Sequence, residues 1–269
     1  MTSDPRAVKS LLAFWAEAGV GTCYEAAPVD RTAAGASRLR GAAAKIAPAA
    51  ATANARAIPA DQNQAGLAQA RQAAAEASDL AALAQAIAAF DGCALKHAGA
   101  RQAVTWRGAP DAPIIAIGEA PGAEEDVQGA PFVGRAGKLL DRMLLAAGLE
   151  GRVFITNTVF WRPPGNRDPT AAEQLACAPF LERIIALVRP SALLLLGGAA
   201  AKSMLGQKTG ILALRGRWFE WRSSDGALEA PAMPTLHPAF LLRQPGAKKL
   251  AWSDLMTLAE RVDRPGRPP

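Results

Sequence analysis

From residue 110 onward, short unbroken apolar runs alternate with longer segments whose apolar residues recur at helical spacing. "PIIAIG" at 113–118, "VFITNTVF" at 153–160 and "ALLLLG" at 192–197 read as buried strands. Between them, "GKLLDRMLLAAG" at 137–148 and "AAEQLACAPFLERIIALV" at 171–188 read as helices, and "AAAKSML" at 199–205 follows the third strand as another. Two further strands are expected near "RWFEW" and "PAMPTL", and a last helix over 248–262. Alternation at these lengths predicts an α/β fold, a central and mostly parallel sheet flanked by helices. The helix at 171–188 has the sharpest start, because Thr170 can cap it and Glu173, three residues on, completes a capping box after Pro169.

Upstream the pattern weakens. Residues 1–24 are read as an amphipathic helix, from apolar positions over 6–18 that stop at Gly19 and Gly21. Residues 25–63, including "GAAAKIAPAAATANARAIPA", lack the large apolar side chains a core needs and are expected to be an Ala-rich flexible linker. Residues 64–109 are expected to be a helical extension, with one or two helices ending at Asp91-Gly92, and 110–265 the α/β domain.

Half of the residues are hydrophobic, yet no apolar run approaches the roughly 18 residues of a membrane span, so a cytoplasmic protein is expected. The net charge is +6, and all but one of those surplus charges fall after residue 100, in the part expected to fold as α/β. That balance favours a polyanionic partner. Cys23, Cys93 and Cys177 include no C-x-x-C pair, so neither a disulfide framework nor a zinc ribbon can be written from them. The histidines are His97 and His237, without H-x-E or H-E-x-x-H, which excludes zinc deaminases and zinc proteases.

In an open α/β sheet, ligands bind in the crevice beyond the carboxyl ends of the strands. The unusual residues gather there: "GEAPGAEED" after the first strand, Asn157 and "WRPPGNR" after the second, Gly197-Gly198 after the third, and "LHPAFLLR" after the last. "GEAPGA" is not G-x-G-x-x-G, and "GRAGKL" lacks both the P-loop spacing and its Ser or Thr, which argues against a dinucleotide or ATP site.

The set "GEAPGAEEDVQGAPFVGRAGKLLDRML", "TNTVFWRPPGNRDPT", "LGGAAAKSMLG", "LRGRWFEW" and "LHPAFLLRQP" closely resembles the family 4 type of uracil-DNA glycosylases, in order and spacing, from about Phe90 to the last helix. The resemblance implies a three-layer glycosylase fold and a monomeric, monofunctional enzyme. Such an enzyme acts on uracil in single- or double-stranded DNA to initiate base excision repair. A glycosylase must flip the deoxyuridine out of the stack, grip the base, and stabilise uracil as a departing anion while water attacks the sugar.

Under this resemblance Phe132 stacks on the flipped base, and Asn157 reads it by donating to O4 and accepting from N3–H, the reverse of what cytosine presents. His237 donates to O2, where charge grows. Glu119 positions water and favours an oxocarbenium-like centre, with Glu125 as the second candidate for that role. Gly118 and Ala120 border the base, Ala120 standing where better-known uracil glycosylases carry a water-activating Asp. Phosphate contacts are expected from Gly198 and Ala199 at a helix start, from Arg215, and from Arg162 and Asn166 in the loop after Asn157. Leu241, Leu242 and Arg243 resemble the segment that wedges into the duplex.

Without the family, each residue has an ordinary alternative: Phe132 as core under a loop, Asn157 closing a strand on its own backbone, His237 as structural, and Arg243 in solvent at a helix start. The function also keeps two rivals, a glycosylase for hypoxanthine or xanthine and a non-catalytic binder of single-stranded or damaged DNA. The match departs from the family at one place. Family 4 members hold a 4Fe–4S cluster through four cysteines, whereas here only Cys93 and Cys177 match, with Phe90 and Trp161 at the other two positions. The expectation is a protein without cofactor or metal, aromatic packing standing in for the cluster.

Overall fold

The computed structural model describes residues 60–264; the expected helix over 6–18 and the linker up to residue 59 lie outside the described residues. Helices α1 (Ala60–Glu76), α2 (Leu80–Ala89) and α3 (Ala94–His97) precede strands β1 (Trp106–Arg107) and β2 (Ile114–Gly118). Then come α4 (Ala123–Gln128), α5 (Arg135–Ala146), β3 (Val153–Asn157), α6 (Ala171–Val188), β4 (Ala192–Leu196), α7 (Gly198–Leu205) and α8 (Ile211–Leu214). Strands β5 (Phe219–Arg222) and β6 (Glu229–Thr235) lead to α9 (Pro238–Arg243) and α10 (Lys248–Asp263).

The sheet has six strands in the order β1-β3-β2-β4-β6-β5. The four inner strands are parallel, and β1 and β5 pair antiparallel at the two edges. Every residue of β2, β3 and β4 is buried, which is why these strands read as unbroken apolar runs: helices cover both faces. Ile115, Ile117, Phe154, Leu193 and Leu195 join the core under α1, α2 and α6. Their alternate neighbours, Ile114, Ala116, Val153, Ile155, Leu194 and Leu196, join the core under α5 and α10. The result is the three-layer arrangement expected.

The segment at 64–90 resolves into two helices, because Asp79 breaks the run and caps α2, its Oδ1 accepting from Ala82 N at 2.8 Å. The first helix begins at Ala60, inside the stretch read as linker. Arg183 of α6 donates to the Ala77 carbonyl at 2.7 and 3.1 Å, satisfying backbone just past the end of α1. Ala70, Ala74, Ala77, Leu83 and Ile87 share one core with the sheet, so the extension is part of the domain.

One strand is shorter than expected. Strand β3 ends at Asn157 and not at Phe160, because Thr158 turns the chain: its N–H donates to the Gly118 carbonyl at 2.9 Å and its hydroxyl to the Glu119 carbonyl at 2.7 Å. Elements β1, α4, α8 and α9, of two to six residues, were too short to show a period. The capping box of α6 is present, with Glu173 N donating to Thr170 Oγ1 at 3.3 Å and Thr170 N to Glu173 Oε2 at 2.7 Å.

If the extension is one folding unit with the sheet, Ile87→Ala, at a fully buried position, should lower the stability of a single unfolding transition by about 3 kcal/mol. Urea titration followed by circular dichroism checks this; a separate early transition for α1 and α2 would contradict it.

Candidate active site

Because the inner strands run parallel, β2, β3, β4 and β6 deliver their carboxyl ends to one edge. Gly118, the last residue of β2, lies opposite Asn157, the last of β3. A Cβ at Gly118 would stand 2.5 Å from Asn157 Oδ1 and 2.6 Å from the Phe132 ring, so the absence of a side chain lets amide and ring meet. A cavity of about 530 Å³ opens beside them, lined among others by Glu119, Phe132, Asn157, Asn166, His237 and Arg243. Ala120 and Glu125 also line it.

Asn157 is 1% exposed, and its Oδ1 accepts no hydrogen bond from the protein; Glu119 Oε1 is the other buried side-chain oxygen among the described residues in that state. Each such acceptor costs about 1–3 kcal/mol. Placed on a cavity wall, they form a polar surface shaped for something outside the chain. The Glu119 backbone is fixed through its carbonyl, which accepts from Thr158 Oγ1 and Val159 N. Burial raises the Glu119 pKa above the usual 4.5, and the charge of Asp168 adds to the shift.

Phe132 is buried with φ at 54°, a left-handed conformation that costs a bulky residue about 1–3 kcal/mol. Glu125 helps to hold it there. Its Oε1 accepts from Val133 N at 3.0 Å and Gly134 N at 2.9 Å, and its Oε2 from Gly122 N at 3.1 Å. One carboxylate thus ties the turn after β2 to the loop that carries the ring. Three carboxylates after this buried strand thus have separate places: Glu119 faces the cavity, Glu125 braces the loops, and Asp126, 2% exposed, accepts from Arg101 N at 2.8 Å.

His237 caps α9, its Nδ1 accepting from Ala239 N at 3.1 Å. Burial, with the nearby Arg243 cation adding and Glu125 opposing, lowers its pKa to about 4, so the ring is neutral at physiological pH. With Nδ1 an acceptor, the single proton sits on Nε2, which becomes a donor. The ring lies 5.6 Å from that of Phe132, centroid to centroid.

The loop after β3 forms a further wall. Arg162 Nε donates to Asn166 Oδ1 at 2.7 Å, and Asn166 holds a left-handed φ of 55°. Arg167 forms a bidentate pair with Glu173 at 2.6 and 2.8 Å, anchoring the loop to the start of α6. Asp168 also lines the cavity; sequence reasoning passed over it, although its place beside the "RPPGNR" turn was the available signal.

Gly198 and Ala199 open α7 at the end of β4 and do not line the cavity. Two expectations are corrected. Arg215 directs Nε and Nη2 to Asp254 and Nη2 also to the Leu250 carbonyl, with its side chain only 17% exposed, so its main role is to brace α10 and not to contact phosphate. Leu241 is fully buried against Leu139, Leu236 and Ala251 and is core, whereas Leu242 is half-buried and Arg243 exposed at the cavity rim.

A profile of the Uracil DNA glycosylase superfamily matches residues 105–256, which contain β1 through most of α10 and the whole cavity. The type-4 uracil-DNA glycosylase of Sulfurisphaera tokodaii is 41% identical over 171 residues, covering 61% of this chain and 77% of that relative. The type-4 enzymes of Saccharolobus solfataricus and Thermotoga maritima are each 40% identical, over 60% and 55% of this chain and 77% and 75% of their own lengths. The chain belongs to the type-4 uracil-DNA glycosylase family. The family assignment agrees with what the strand ends bring together: a ring, an amide, a carboxylate and a neutral imidazole around one cavity.

The type-4 uracil-DNA glycosylases also bear on the iron–sulfur question. A 4Fe–4S cluster needs four thiolates. Here Phe90 packs edge-on against Phe180 at 5.1 Å, and Trp161, 2% exposed, stands edge-on to Phe160. Cys93 and Cys177 lie directly together, Sγ to Sγ 3.9 Å, in the same core. Among the described residues no three His, Cys, Asp or Glu side chains gather as a metal site. The residues present do not fit the cluster; Cys23 lies outside the described residues.

A methyl group at Gly118 would occupy the space of the amide oxygen and the ring. Gly118→Ala should therefore abolish substrate turnover and also lower stability by about 1–3 kcal/mol; unchanged turnover with unchanged thermal unfolding would contradict the close approach.

Proposed function

We propose that the chain hydrolyses the N-glycosidic bond of deoxyuridine in DNA, releasing uracil and leaving an abasic site that starts base excision repair. The observation that carries this reading is the pair of buried, unpartnered oxygens, Asn157 Oδ1 and Glu119 Oε1, on the cavity that also holds Phe132 and His237. Each group answers one need of the reaction.

The Phe132 ring stacks on the flipped base. Asn157 accepts from N3–H through Oδ1 and donates to O4 through its NH₂, a pattern cytosine cannot satisfy. His237, neutral and carrying its proton on Nε2, donates to O2 as the bond from C1′ to N1 lengthens and charge passes to the base. Being uncharged in the ground state, it adds little until the anion develops, so its effect falls on the transition state. Glu119 orients the attacking water and accepts its proton; the raised pKa suits it to that transfer. Glu125, each of whose oxygens already accepts backbone N–H, contributes its negative charge to the oxocarbenium-like sugar while bracing the loops.

DNA, single- or double-stranded, is held by Arg162 and Asn166, by Gly198 and Ala199 at the start of α7, and by Leu242 and Arg243 at the rim. The reading takes the enzyme to act as a monomer. Among the described residues no helix is long and apolar enough to cross a membrane. In the same reading the enzyme works without an iron–sulfur cluster, since Phe90 and Trp161 supply packing where thiolates would be required.

Incubation with oligonucleotides carrying one uracil, hypoxanthine or xanthine, followed by alkali, tests the reading: cleavage confined to uracil is expected, and no cleavage on any base would overturn it. Asn157→Ala and His237→Ala should each lower single-turnover excision by about 10²–10³-fold without unfolding the protein. Purified protein should be colourless and free of stoichiometric iron; a brown sample with four irons per chain would refute the cluster-free reading.

The acid limb of kcat should lie above pH 4.5, because Glu119 must ionise and its pKa is raised, while His237 stays neutral down to about pH 4. Glu125, Arg167 and Arg243 also line the cavity, and Asp168 is the neighbour whose negative charge hinders that ionisation. Asp168→Asn should therefore move the limb toward lower pH; a limb unmoved, or moved upward, would contradict the assignment to Glu119.

A further inference from the structure

The loop that carries Phe132 receives a clamp from outside the cavity. Arg107 stands on edge strand β1, paired with β3 opposite Ile155. Its Nε donates to the Pro131 carbonyl at 2.8 Å and its Nη2 to the Phe132 carbonyl at 3.2 Å. The same Nη2 lies 2.6 Å from Asp141 of α5, which sets the direction of the guanidinium. From the other side the backbone of α5 presses on this carbonyl: a Cβ at Gly137 would stand 1.6 Å from Phe132 O. The N–H groups that follow, of Val133 and Gly134, go to Glu125.

A left-handed conformation at a bulky residue persists only where its surroundings over-determine it. Here the peptide units on both sides of Phe132 are engaged, and the ring projects to Gly118 and His237. We propose that Arg107 is a positioning residue of the excision reaction, holding the strained Phe132 backbone so that its ring presents the flipped base to Asn157 and His237. Arg107 touches neither base nor sugar; it acts through Phe132, with Asp141 aligning its fork and Gly137 leaving room for the carbonyl. The inference rests on the proposed role of Phe132 as the stacking ring.

A basic side chain in a DNA enzyme has an obvious competing role, contact with phosphate, and kinetics separate the two. A phosphate contact is felt in KM and in the salt dependence of binding, with the bound complex reacting at its usual rate. A positioning residue leaves both nearly unchanged and slows the chemical step, since displacement of a reacting group by about 1 Å can cost about 10²-fold. The test is single-turnover excision of uracil by Arg107→Ala, Arg107→Lys, Asp141→Asn and Gly137→Ala, with KM, salt dependence and thermal unfolding measured on each.

Arg107→Ala is expected to reduce the rate about 10²-fold with KM and salt slope near those of the parent. Arg107→Lys should recover part of the loss, because an ammonium restores one donor but not the fork. Gly137→Ala should reproduce the defect with Arg107 intact. If Arg107→Ala fails to fold, Arg107→Lys and Asp141→Asn carry the test. A change confined to KM and salt slope, or an unchanged rate, overturns the proposal.

Phe132→Ala and the double variant with Arg107→Ala separate this from the reading beneath it. If Phe132→Ala itself leaves excision intact, the stacking role fails and the positioning role with it. If Phe132→Ala is slow and Arg107→Ala is not, only the clamp is refuted. A double variant no slower than Phe132→Ala alone supports action through the ring, and additive losses contradict it.

Discussion

Gly118 lies opposite Asn157 at the ends of two parallel strands, and the volume a Cβ would need is filled by the amide oxygen and the Phe132 ring. The rest of the site follows from this close approach. The parallel register of β2 and β3 delivers the amide, while the loop between α4 and α5 must bend back sharply enough to bring a ring against the strand end. The bend is the left-handed backbone at Phe132, and it survives because Arg107 and Glu125 engage the peptide groups on either side. Strain at one residue is thus balanced by charge-assisted hydrogen bonds from two others, and the ring becomes a fixed wall.

The electrostatics of the cavity divide its groups by task. Burial pushes Glu119 up and His237 down, in both cases by disfavouring the charged form. The carboxylate becomes a better proton acceptor, and the imidazole remains a neutral donor whose tautomer is set by Ala239 N–H. Glu125 differs from Glu119 in having backbone donors on both oxygens. Two glutamates six residues apart therefore serve different ends, one facing the cavity and one holding its walls.

Away from the cavity, the region where the family's cysteines would converge is continuous with the main core. Phe90, Phe160, Trp161 and Phe180 pack there with Cys93, Cys177 and the residues of α1 and α2. Rings bury large apolar areas and pack specifically edge to face. They join the extension to the sheet by the ordinary hydrophobic effect.

The sequence by itself determined the sheet strands β2, β3 and β4, the helices between them and the cap at Thr170, because unbroken apolar runs, helical spacing and capping pairs are local signals. It also placed Glu119, Asn157 and His237 at strand ends, where an α/β sheet binds ligands. What no local pattern could convey was the use of each polar group across long separations. Arg215 turns inward because Asp254, 39 residues away, sits buried beneath it. Leu241 is core because α9 packs on α5. Arg107 reaches a carbonyl 25 residues on, and Glu125 binds amides eight and nine residues on. Only the tertiary structure decided these partners, since a charged side chain takes whichever donor or acceptor the fold brings within about 3 Å, and that proximity is set by strand register and helix packing.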